Sequence, residues 1–355
     1  MSKSVLLEDF EILHHAYSNI FAQIEGKKVL IVGATGMITS YLSKFLIYLL
    51  ASFSFELYLH GRNEEKLATI YGREISNEHV HFVSFDFEKN QMPLFRPDFI
   101  IHAASPASTK AFFETPVNVI SPNIIGTWNL LNWAKEIKVH KFLFFSSGSI
   151  YGEGGLSKTI LSEDDYGIVN PLCDRSSYVE SKRTGEQMCC AFWKQYNVPT
   201  SIIRIRHTFG PTFDLSQDTR IVPKVIKKIT EKKDIEIYKD PSALVQFTYI
   251  ADLAAAILFV ALRGKNGEAY NAAGNEVVRM DDVVDWMIHS DNHIQSKLIE
   301  KEIDSNYNFS KGKGINYLKL SNDKLKSLGW NQIYEVKEGF ERTVRYYLDN
   351  NRPLL

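Results

Sequence analysis

The sequence predicts an α/β fold, with a doubly wound parallel sheet followed by a smaller C-terminal lobe. Residues 27–32 form a short apolar run without polar alternation, which is typical of a strand buried on both faces. Strand-like and helix-like stretches then alternate as far as residue 205, as they do when helices join parallel strands. After Arg206 the alternation ends, which indicates a differently built lobe.

The elements are expected in the following order. Residues 1–25 are predicted to be a helical extension that Gly26 ends, and residues 26–205 to form the main sheet domain. Residues 206–355 are predicted to be mainly the lobe, with 245–265 returning to the main domain. Further strands are predicted at 55–59, 80–85, 99–102, 141–145 and 200–205, and helices at 123–137 and 178–196.

Composition excludes several classes of protein. The chain has 355 residues, 45% of them hydrophobic, and a net charge of -1, so it has no broad charge with which to bind nucleic acid or an anionic membrane. Its three cysteines match neither a disulfide framework nor a metal site, which favours reduced thiols in the cytoplasm. The N-terminus carries acidic residues where a signal peptide needs an apolar run, and the apolar stretch at 45–51 is too short to span a bilayer.

A glycine-rich turn follows the first predicted strand directly. Gly33 and Gly36 allow a tight turn and the close approach of a pyrophosphate, and the helix that begins near Met37 and Ile38 offers backbone N–H groups to it. Thr35 lies within the same turn. A turn between a buried strand and an amphipathic helix predicts an NAD(P)-binding Rossmann domain.

The second predicted strand indicates which dinucleotide binds. An acid that would accept from the ribose 2′-hydroxyl of NAD is missing, and Arg62 is placed to meet a 2′-phosphate. This favours NADP, with NAD possible, unless Arg62 is only a solvated loop residue. Asp86, after the third strand, is a candidate to accept from the adenine amino group, or else it caps a turn.

Tyr178 and Lys182 are four residues apart on a predicted helix, so their side chains share one face. A neighbouring ammonium favours phenolate, and we therefore expect a lowered pKa for Tyr178 and proton transfer near neutral pH. The same spacing also occurs by chance on helix surfaces. The nucleotide-binding turn upstream favours a catalytic pair.

Together these residues resemble the extended short-chain dehydrogenase/reductase family (NAD-dependent epimerase/dehydratase) that acts on nucleotide sugars. Within it the chain is most similar to UDP-glucuronate decarboxylases, or UDP-xylose synthases. The matching segments are His102–Ser108, Asn123–Thr127, Ser162–Lys182, Thr208–Pro211, Tyr249–Leu253 and Leu328–Trp330.

The resemblance implies roles for individual residues. Tyr178 is the expected catalytic acid/base, Lys182 holds the nicotinamide ribose, and Ser147 donates a hydrogen bond to the substrate oxygen. The other cofactor-binding residues that it implies are Phe87, Ala103, Ala104, Ser105 and Asn123. It also implies a homodimer, formed by pairing the helices at 123–137 and 178–196.

Three departures from the family set this chain apart. Ser149 replaces the catalytic Glu of decarboxylases and 4,6-dehydratases; serine cannot act as a carboxylate base, and Ser149 is expected to bind the substrate instead. His207 replaces an Asn, and is expected either to bind the substrate or to pack. Val245 replaces an Arg that contacts the diphosphate; Arg220, or else Arg206, is expected to compensate, unless Arg220 is structural.

These departures favour hydride chemistry at C4 of the sugar. The leading hypothesis is NADPH-dependent reduction of a nucleotide-linked 4-keto-6-deoxyhexose, for example dTDP-4-keto-6-deoxyglucose, in the synthesis of surface polysaccharide precursors. The alternatives are a hexose 4-epimerase with tightly bound NAD(P), a decarboxylase that works without the Glu, and a catalytically silent NADP-sensing module.

Overall fold

The computed structural model describes residues 4–72, 76–152, 158–173, 175–238, 244–301 and 319–351. The strands are β1 Lys28–Val32, β2 Glu56–His60, β3 Val80–Val83, β4 Phe99–His102, β5 Lys141–Ser147, β6 Ile160–Leu161, β7 Thr200–Ile205, β8 His207–Phe209, β9 Ile235–Tyr238, β10 Leu244–Val245, β11 Phe247–Tyr249, β12 Glu268–Ala272, β13 Val278–Arg279, β14 Leu298–Lys301 and β15 Lys319–Leu320. The helices are α1 Val5–Phe21, α2 Met37–Leu49, α3 Glu64–Tyr71, α4 Thr109–Glu114, α5 Pro116–Ser121, α6 Thr127–Ile137, α7 Ser176–Tyr196, α8 Ile221–Thr230, α9 Ile250–Arg263, α10 Met280–Ile288, α11 Asp323–Lys326 and α12 Val336–Asn351.

The main sheet has seven strands in the order β3–β2–β1–β4–β5–β7–β12, and every neighbouring pair is parallel. The chain builds outward from β1 to β3 and then crosses back to β4 on the other side of β1. Ligands of such sheets bind at the carboxyl ends of the strands, where the direction of winding reverses. The predicted doubly wound Rossmann sheet is therefore confirmed, and it places a binding crevice beyond the ends of β1 and β4.

Helices cover both faces of the sheet, because successive side chains of a strand point to opposite faces and both sets are apolar in β1. On one face, Val29 and Ile31 of β1 belong to a core with α2 and α9. On the other face, Leu30 and Val32 belong to a core with α6 and α7. A strand buried on both faces needs this unbroken apolar sequence.

The helix α1 is tied to the rest of the molecule by a buried carboxylate. Asp9 has no exposed surface, and it accepts hydrogen bonds from the Tyr41 hydroxyl at 2.9 Å and the Tyr249 hydroxyl at 2.7 Å. It also forms an ion pair with Arg342 of α12 at 2.6 Å. One acidic side chain thus joins α1 to α2, β11 and α12.

Short sheets form the rest of the fold. β8 pairs with β11 and β9 with β14 in parallel, and β10 pairs with β13 in antiparallel fashion. The sequence-based reading had not identified β12, which completes the main sheet beside β7. None of the described helices is both long enough and apolar enough to cross a membrane.

Candidate active site

The glycine turn is formed by close backbone contact between β1 and the segment after β4. Gly33 has φ +92°, and a Cβ atom there would lie 2.8 Å from the backbone of Ala104. Gly36 is the N-cap of α2, so Thr35, Met37 and Ile38 lie around the start of that helix. This cradle fits a dinucleotide pyrophosphate, because only a glycine leaves room for the turn and the helix start presents N–H groups.

Two further residues hold this turn in place. Thr39, where the family usually has a third glycine, donates from its hydroxyl to the carbonyl of Gly33 at 2.7 Å. The N–H of Ala103 donates to the carbonyl of Val32 at 3.0 Å. Ser105 donates to its neighbour Pro106 at 3.4 Å.

Arg62 and Asp86 lie after β2 and β3. The side chain of Arg62 is 75% exposed and lies 3.7 Å from a Glu88 oxygen, so the guanidinium can turn toward a ligand. Asp86 accepts from the backbone N–H of Lys89 at 3.1 Å and pairs with its ammonium at 3.0 Å, which lowers the pKa of this carboxyl. Asp86 therefore caps its own turn, one of the two roles expected for it.

Phe87 and Asn123, two of the predicted cofactor-binding residues, are both buried. Phe87 is 3% exposed and packs against Gly126, where a Cβ atom would come within 2.4 Å of its ring. Asn123 has no exposed surface and donates to the carbonyl of Val119 at 2.9 Å and to Ser181 at 3.1 Å. The expected contact between Asn123 and the cofactor stays a prediction: its Nδ2 group joins the π-helical turn at Pro122–Gly126 to α7, while its Oδ1 is buried without a hydrogen-bond partner among the described residues.

Ser147, Tyr178 and Lys182 come together at the end of β5. A hydrogen bond joins the side chains of Ser147 and Tyr178. The Lys182 ammonium donates to the carbonyl of Phe145 at 2.7 Å and lies 5.8 Å from the centre of the Tyr178 ring. The strand and the helix thus bring all three predicted catalytic residues into one group.

The expected lowering of the Tyr178 pKa is wrong. Burial raises the pKa of Tyr178, and the hydrogen bond from Ser147 offsets only part of that rise. Burial also lowers the pKa of Lys182 to about 7, so its ammonium is only partly charged near neutral pH and attracts the phenolate weakly. Tyr178 is therefore a phenol at neutral pH and is ready to donate a proton.

Ser149 is exposed beside this group and its backbone N–H donates to Ser147 at 3.1 Å. In the described part of the chain, no carboxylate is hydrogen-bonded to Ser147, Ser149 or Tyr178. Glu186, one turn beyond Lys182, accepts from Arg204 at 2.8 Å and from Ser146 at 2.5 Å instead.

A cluster of basic side chains lies between the end of β7 and the start of α8. His207 is exposed as a residue, yet desolvation by the surrounding protein, with the charges of Arg206 and Arg220, lowers its pKa to about 4. Arg220 forms an ion pair with Asp218 at 2.5 Å, and its guanidinium lies 3.9 Å from the sulfur of Met37. The three predicted substrate residues are therefore divided: His207 and Arg220 belong to this cluster, and Ser149 to the catalytic group.

Two contacts at the site were missed by sequence reasoning. The Phe112 ring stacks on that of Tyr178, with centroids 4.7 Å apart and an angle of 25°. The Arg206 side chain crosses Gly148, where a Cβ atom would lie 3.0 Å from its Cδ. The paired phenylalanines after the Ser-Pro-Ala-Ser segment were a signal for the first contact, whereas the second joins segments that are distant in sequence.

The nucleotide cradle and the Ser–Tyr–Lys group define a short-chain dehydrogenase/reductase enzyme. A model of the NAD dependent epimerase/dehydratase family matches residues 29–273, and the chain belongs to that family.

Its relatives act on nucleotide sugars in different ways. UDP-glucuronic acid decarboxylase 1 of Xenopus tropicalis is 28% identical over 330 residues, which cover 90% of this chain and 72% of the relative. The dTDP-D-glucose 4,6-dehydratase of Homo sapiens is 25% identical over 338 residues, or 91% of each chain. The crystal structure of UDP-glucose 4-epimerase from Thermotoga maritima with UDP-glucose has a TM-score of 0.74 at 20% identity, covering 91% of this chain and 99% of that one, and supports the fold.

Proposed function

We propose that the protein is an NADPH-dependent reductase of the C4 ketone of a nucleotide-linked 4-keto-6-deoxyhexose, such as dTDP-4-keto-6-deoxyglucose, in the synthesis of surface polysaccharide precursors. One observation carries the proposal. Ser147 and Tyr178 are hydrogen-bonded to each other, and Ser149 stands where relatives that eliminate water or carbon dioxide are expected to carry a Glu. The group can move one proton at the C4 oxygen, but it lacks the second acid/base that elimination needs.

Tyr178, Ser147 and Lys182 have separate roles in the reduction. When bound, the reduced nicotinamide supplies the hydride. Tyr178 donates its phenol proton to the C4 oxygen as negative charge develops there, and its raised pKa keeps that proton available. Ser147 donates a hydrogen bond to the same oxygen, and the partly charged Lys182 gives the phenolate that remains only weak electrostatic stabilisation.

NADPH is the proposed cofactor, with NAD(H) as the general expectation for the family. Arg62 supports the phosphorylated form, because its exposed guanidinium follows β2 and its Glu88 partner is 3.7 Å away. A 2′-phosphate would be a stronger, bidentate partner for the guanidinium.

Arg206, His207 and Arg220 are proposed to bind the substrate diphosphate. His207 is neutral at pH 7, since its pKa is lowered to about 4, so it contributes a hydrogen bond and not a charge. Arg206 and Arg220 supply the positive charge that is missing at position 245, where this chain has Val and the family resemblance leads us to expect Arg.

A direct assay tests the reaction. The protein is mixed with NADPH and a panel of nucleotide-linked 4-keto-6-deoxyhexoses, and the nicotinamide absorbance is followed. We expect oxidation of NADPH with at least one member, together with formation of the 4-hydroxy sugar. The absence of oxidation with all of them would contradict the proposal.

Cofactor choice has a separate test. We expect Arg62→Ala to weaken NADPH binding about tenfold and to leave NADH binding nearly unchanged, because only NADPH carries the phosphate. Lys66→Ala, at an exposed position on α3, is the matched control. Equal losses for both cofactors would show that Arg62 does not bind the 2′-phosphate.

A nucleotide-hexose 4-epimerase is the second candidate, because the same group without a carboxylate also suffices to oxidise and re-reduce C4. Conversion of a simple nucleotide hexose without added cofactor would favour it. Carbon dioxide release from UDP-glucuronate would instead favour a decarboxylase that works without the Glu.

A homodimer in the cytoplasm is also proposed. Exposed apolar side chains on the π-helical turn and on α6 and α7 support the pairing: Ile125 is 51% exposed, Trp128 52% and Tyr196 45%. Burying such side chains against a second copy would stabilise a dimer. The free thiols of Cys173, Cys189 and Cys190 fit a reducing compartment.

A further inference from the structure

A buried ion pair joins β7 to the helix that carries Tyr178 and Lys182. The Glu186 carboxylate of α7 accepts two parallel hydrogen bonds from the Arg204 guanidinium of β7, at 2.8 Å and 3.0 Å. Their side chains are only 12% and 11% exposed. A bidentate pair of this kind fixes the geometry of the two elements as well as balancing charge. The proposed steps of the reaction use neither residue.

The ion pair holds the chain on both sides of Ser147. Before it, the Ser146 hydroxyl donates to a Glu186 oxygen at 2.5 Å. After it, the turn that follows β5 ends at Tyr151, whose hydroxyl accepts from Arg204 at 2.9 Å. The backbone that carries Ser147 is therefore fastened at both ends to the same pair of charges.

Lys182 is fastened to the same stretch of β5. It precedes Glu186 by four residues on α7, so the two side chains share one face of the helix. The Lys182 ammonium donates to the carbonyl of Phe145 at 2.7 Å, and Ser146, the next residue of β5, donates to Glu186. Two consecutive residues of the strand thus meet two successive turns of the helix.

The charge of Glu186 also acts on Lys182. Burial lowers the pKa of Lys182 to about 7, and the negative charge of Glu186 opposes that fall. The other titratable groups that face Lys182 are uncharged at pH 7, because burial raises the pKa of the Tyr178 phenol and the Cys189 thiol and lowers that of the His102 imidazole to about 3. Glu186 is therefore the neighbouring charge that favours the ammonium.

We propose that Glu186, clamped by Arg204, is a positioning residue of the catalytic group, which it reaches through Ser146 on one side and Lys182 on the other. It holds Ser147 and Lys182 in place beside Tyr178. The inference rests on the proposed proton transfer by Tyr178 at the C4 oxygen, and it deepens that proposal by giving a role to a carboxylate that acts through its neighbours.

A pH profile tests the effect on Lys182. Its ammonium form is present below its pKa and is lost as the pH rises through it, and only the ammonium stabilises the phenolate left by proton transfer. The wild-type kcat should therefore fall above about pH 7. In Glu186→Gln, which keeps the shape and removes the charge, the fall should begin about one pH unit lower and cost about tenfold in kcat at pH 8. Coinciding profiles would overturn the proposal.

A second variant separates this effect from stability, because Glu186→Gln alone leaves the Arg204 guanidinium buried without its anion. Glu186→Gln combined with Arg204→Met removes both charges, and such a replacement of a buried pair often leaves stability unchanged. Urea denaturation measures the stability of both variants. We expect the double variant to regain stability and to keep the shifted pH profile. A wild-type profile in the double variant would show that the pair only stabilises the fold.

Two serines offer a matched test of the contact with β5. Ser146→Ala removes the hydrogen bond to Glu186 and should lower kcat about tenfold, because Ser147 is the next residue and small displacements of reacting groups are costly. Ser201→Ala removes a buried hydroxyl, bonded to the Lys265 carbonyl at 3.1 Å, from the far end of β7 and should keep the wild-type kcat. Equal kcat values for the two variants would overturn the positioning role.

The titration of Lys182 can also be followed without turnover, which separates this inference from the proposed reaction. NMR of protein labelled with ¹³Cε-lysine gives the midpoint, and Lys182→Met assigns the signal by its loss. A lower midpoint in Glu186→Gln without reduction of any 4-keto sugar would keep the role of Glu186 and refute the reductase. Reduction of a 4-keto sugar with the same midpoint in both proteins would do the reverse.

Discussion

The cofactor half of the site and its substrate half are built by different means. In the cofactor half, formed by β1 to β4 and α2, the close backbone contact between Gly33 and Ala104 determines the shape. In the substrate half, at the ends of β5 and β7, long side chains do so: Arg206 crosses Gly148, and Gln246 hydrogen-bonds Gly274 and Leu320. The departures from the family that the sequence analysis singled out, at Ser149, His207 and Val245, all lie in this substrate half.

The largest expected effect separates catalysis from cofactor binding. Tyr178→Phe should lower kcat by about 10²- to 10⁴-fold, because it removes the proton donor and keeps the ring that stacks on Phe112. Titration with NADPH should give a wild-type dissociation constant. Tyr166→Phe, at an 81% exposed tyrosine, is the control. Turnover at the wild-type rate would remove Tyr178 from the mechanism.

A substitution of Asp9 tests how much its buried contacts stabilise the fold. Asp9 binds Tyr41 of α2, in the cofactor half, and Arg342 of α12. Asp9→Ala removes the anion that pairs with Arg342 at 2.6 Å, leaves Glu8 at 3.1 Å as the closest remaining acid, and should lower the free energy of unfolding by about 3 kcal/mol. Urea denaturation measures this effect. His15→Ala, at an exposed position of the same helix, should change little. A small effect of Asp9→Ala would mean that water or another acid satisfies Arg342.

Gly33 and Gly26 offer a matched pair for the backbone argument. Both have positive φ angles, +92° and +69°, but a Cβ atom on Gly33 would lie 2.8 Å from Ala104, whereas one on Gly26 would meet nothing within 4 Å. Gly33→Ala should therefore weaken NADPH binding at least about tenfold and cost about 1–3 kcal/mol of stability. Gly26→Ala should show only the smaller cost of its φ angle and normal NADPH binding. If both variants bind alike, the contact with Ala104 does not shape the cradle.

The same contrast explains which features could be predicted from sequence. The strands at 99–102 and 200–205 and the glycine turn follow from local patterns, and the structure has them as predicted. The strand β12, Glu268–Ala272, was missed because its sequence mixes polar and apolar residues and it comes after the alternation of strands and helices has ended. The pKa of Tyr178 was predicted in the wrong direction because spacing along a helix reveals a neighbouring Lys182 but not the burial of both groups. Phe112 and Arg206 reach the site through tertiary contacts that a linear pattern does not contain.

The smallest expected effect concerns the end of the cofactor half that is farthest from the crevice, where Glu56 of β2 accepts from His79 at 2.9 Å and from His81 at 2.5 Å. The hydrogen bond to Glu56 raises the pKa of His79 above 6.5. The stability that protonated His79 contributes to the fold is therefore complete below pH 6.5 and is lost as the pH rises through the raised pKa. The hydrogen bonds from His81 and His79 lower the pKa of Glu56 below 4.5. The stability that ionised Glu56 contributes to the fold is therefore complete above pH 4.5 and is lost as the pH falls through the lowered pKa.

The destabilisation caused by Glu56→Gln should therefore be greatest between about pH 4.5 and 6.5, and should shrink toward pH 8. Denaturant unfolding of wild type and variant across this range measures the difference, and subtracting the two curves removes the titration of every other group. Glu78→Gln, which removes a 90% exposed carboxylate 3.9 Å from His79, should give a much flatter difference. Because Glu56 starts β2 while Arg62 follows its end, the affinity for NADPH at pH 7 should stay unchanged. A change in that affinity would mean that the backbone of the cofactor half transmits strain along the whole strand.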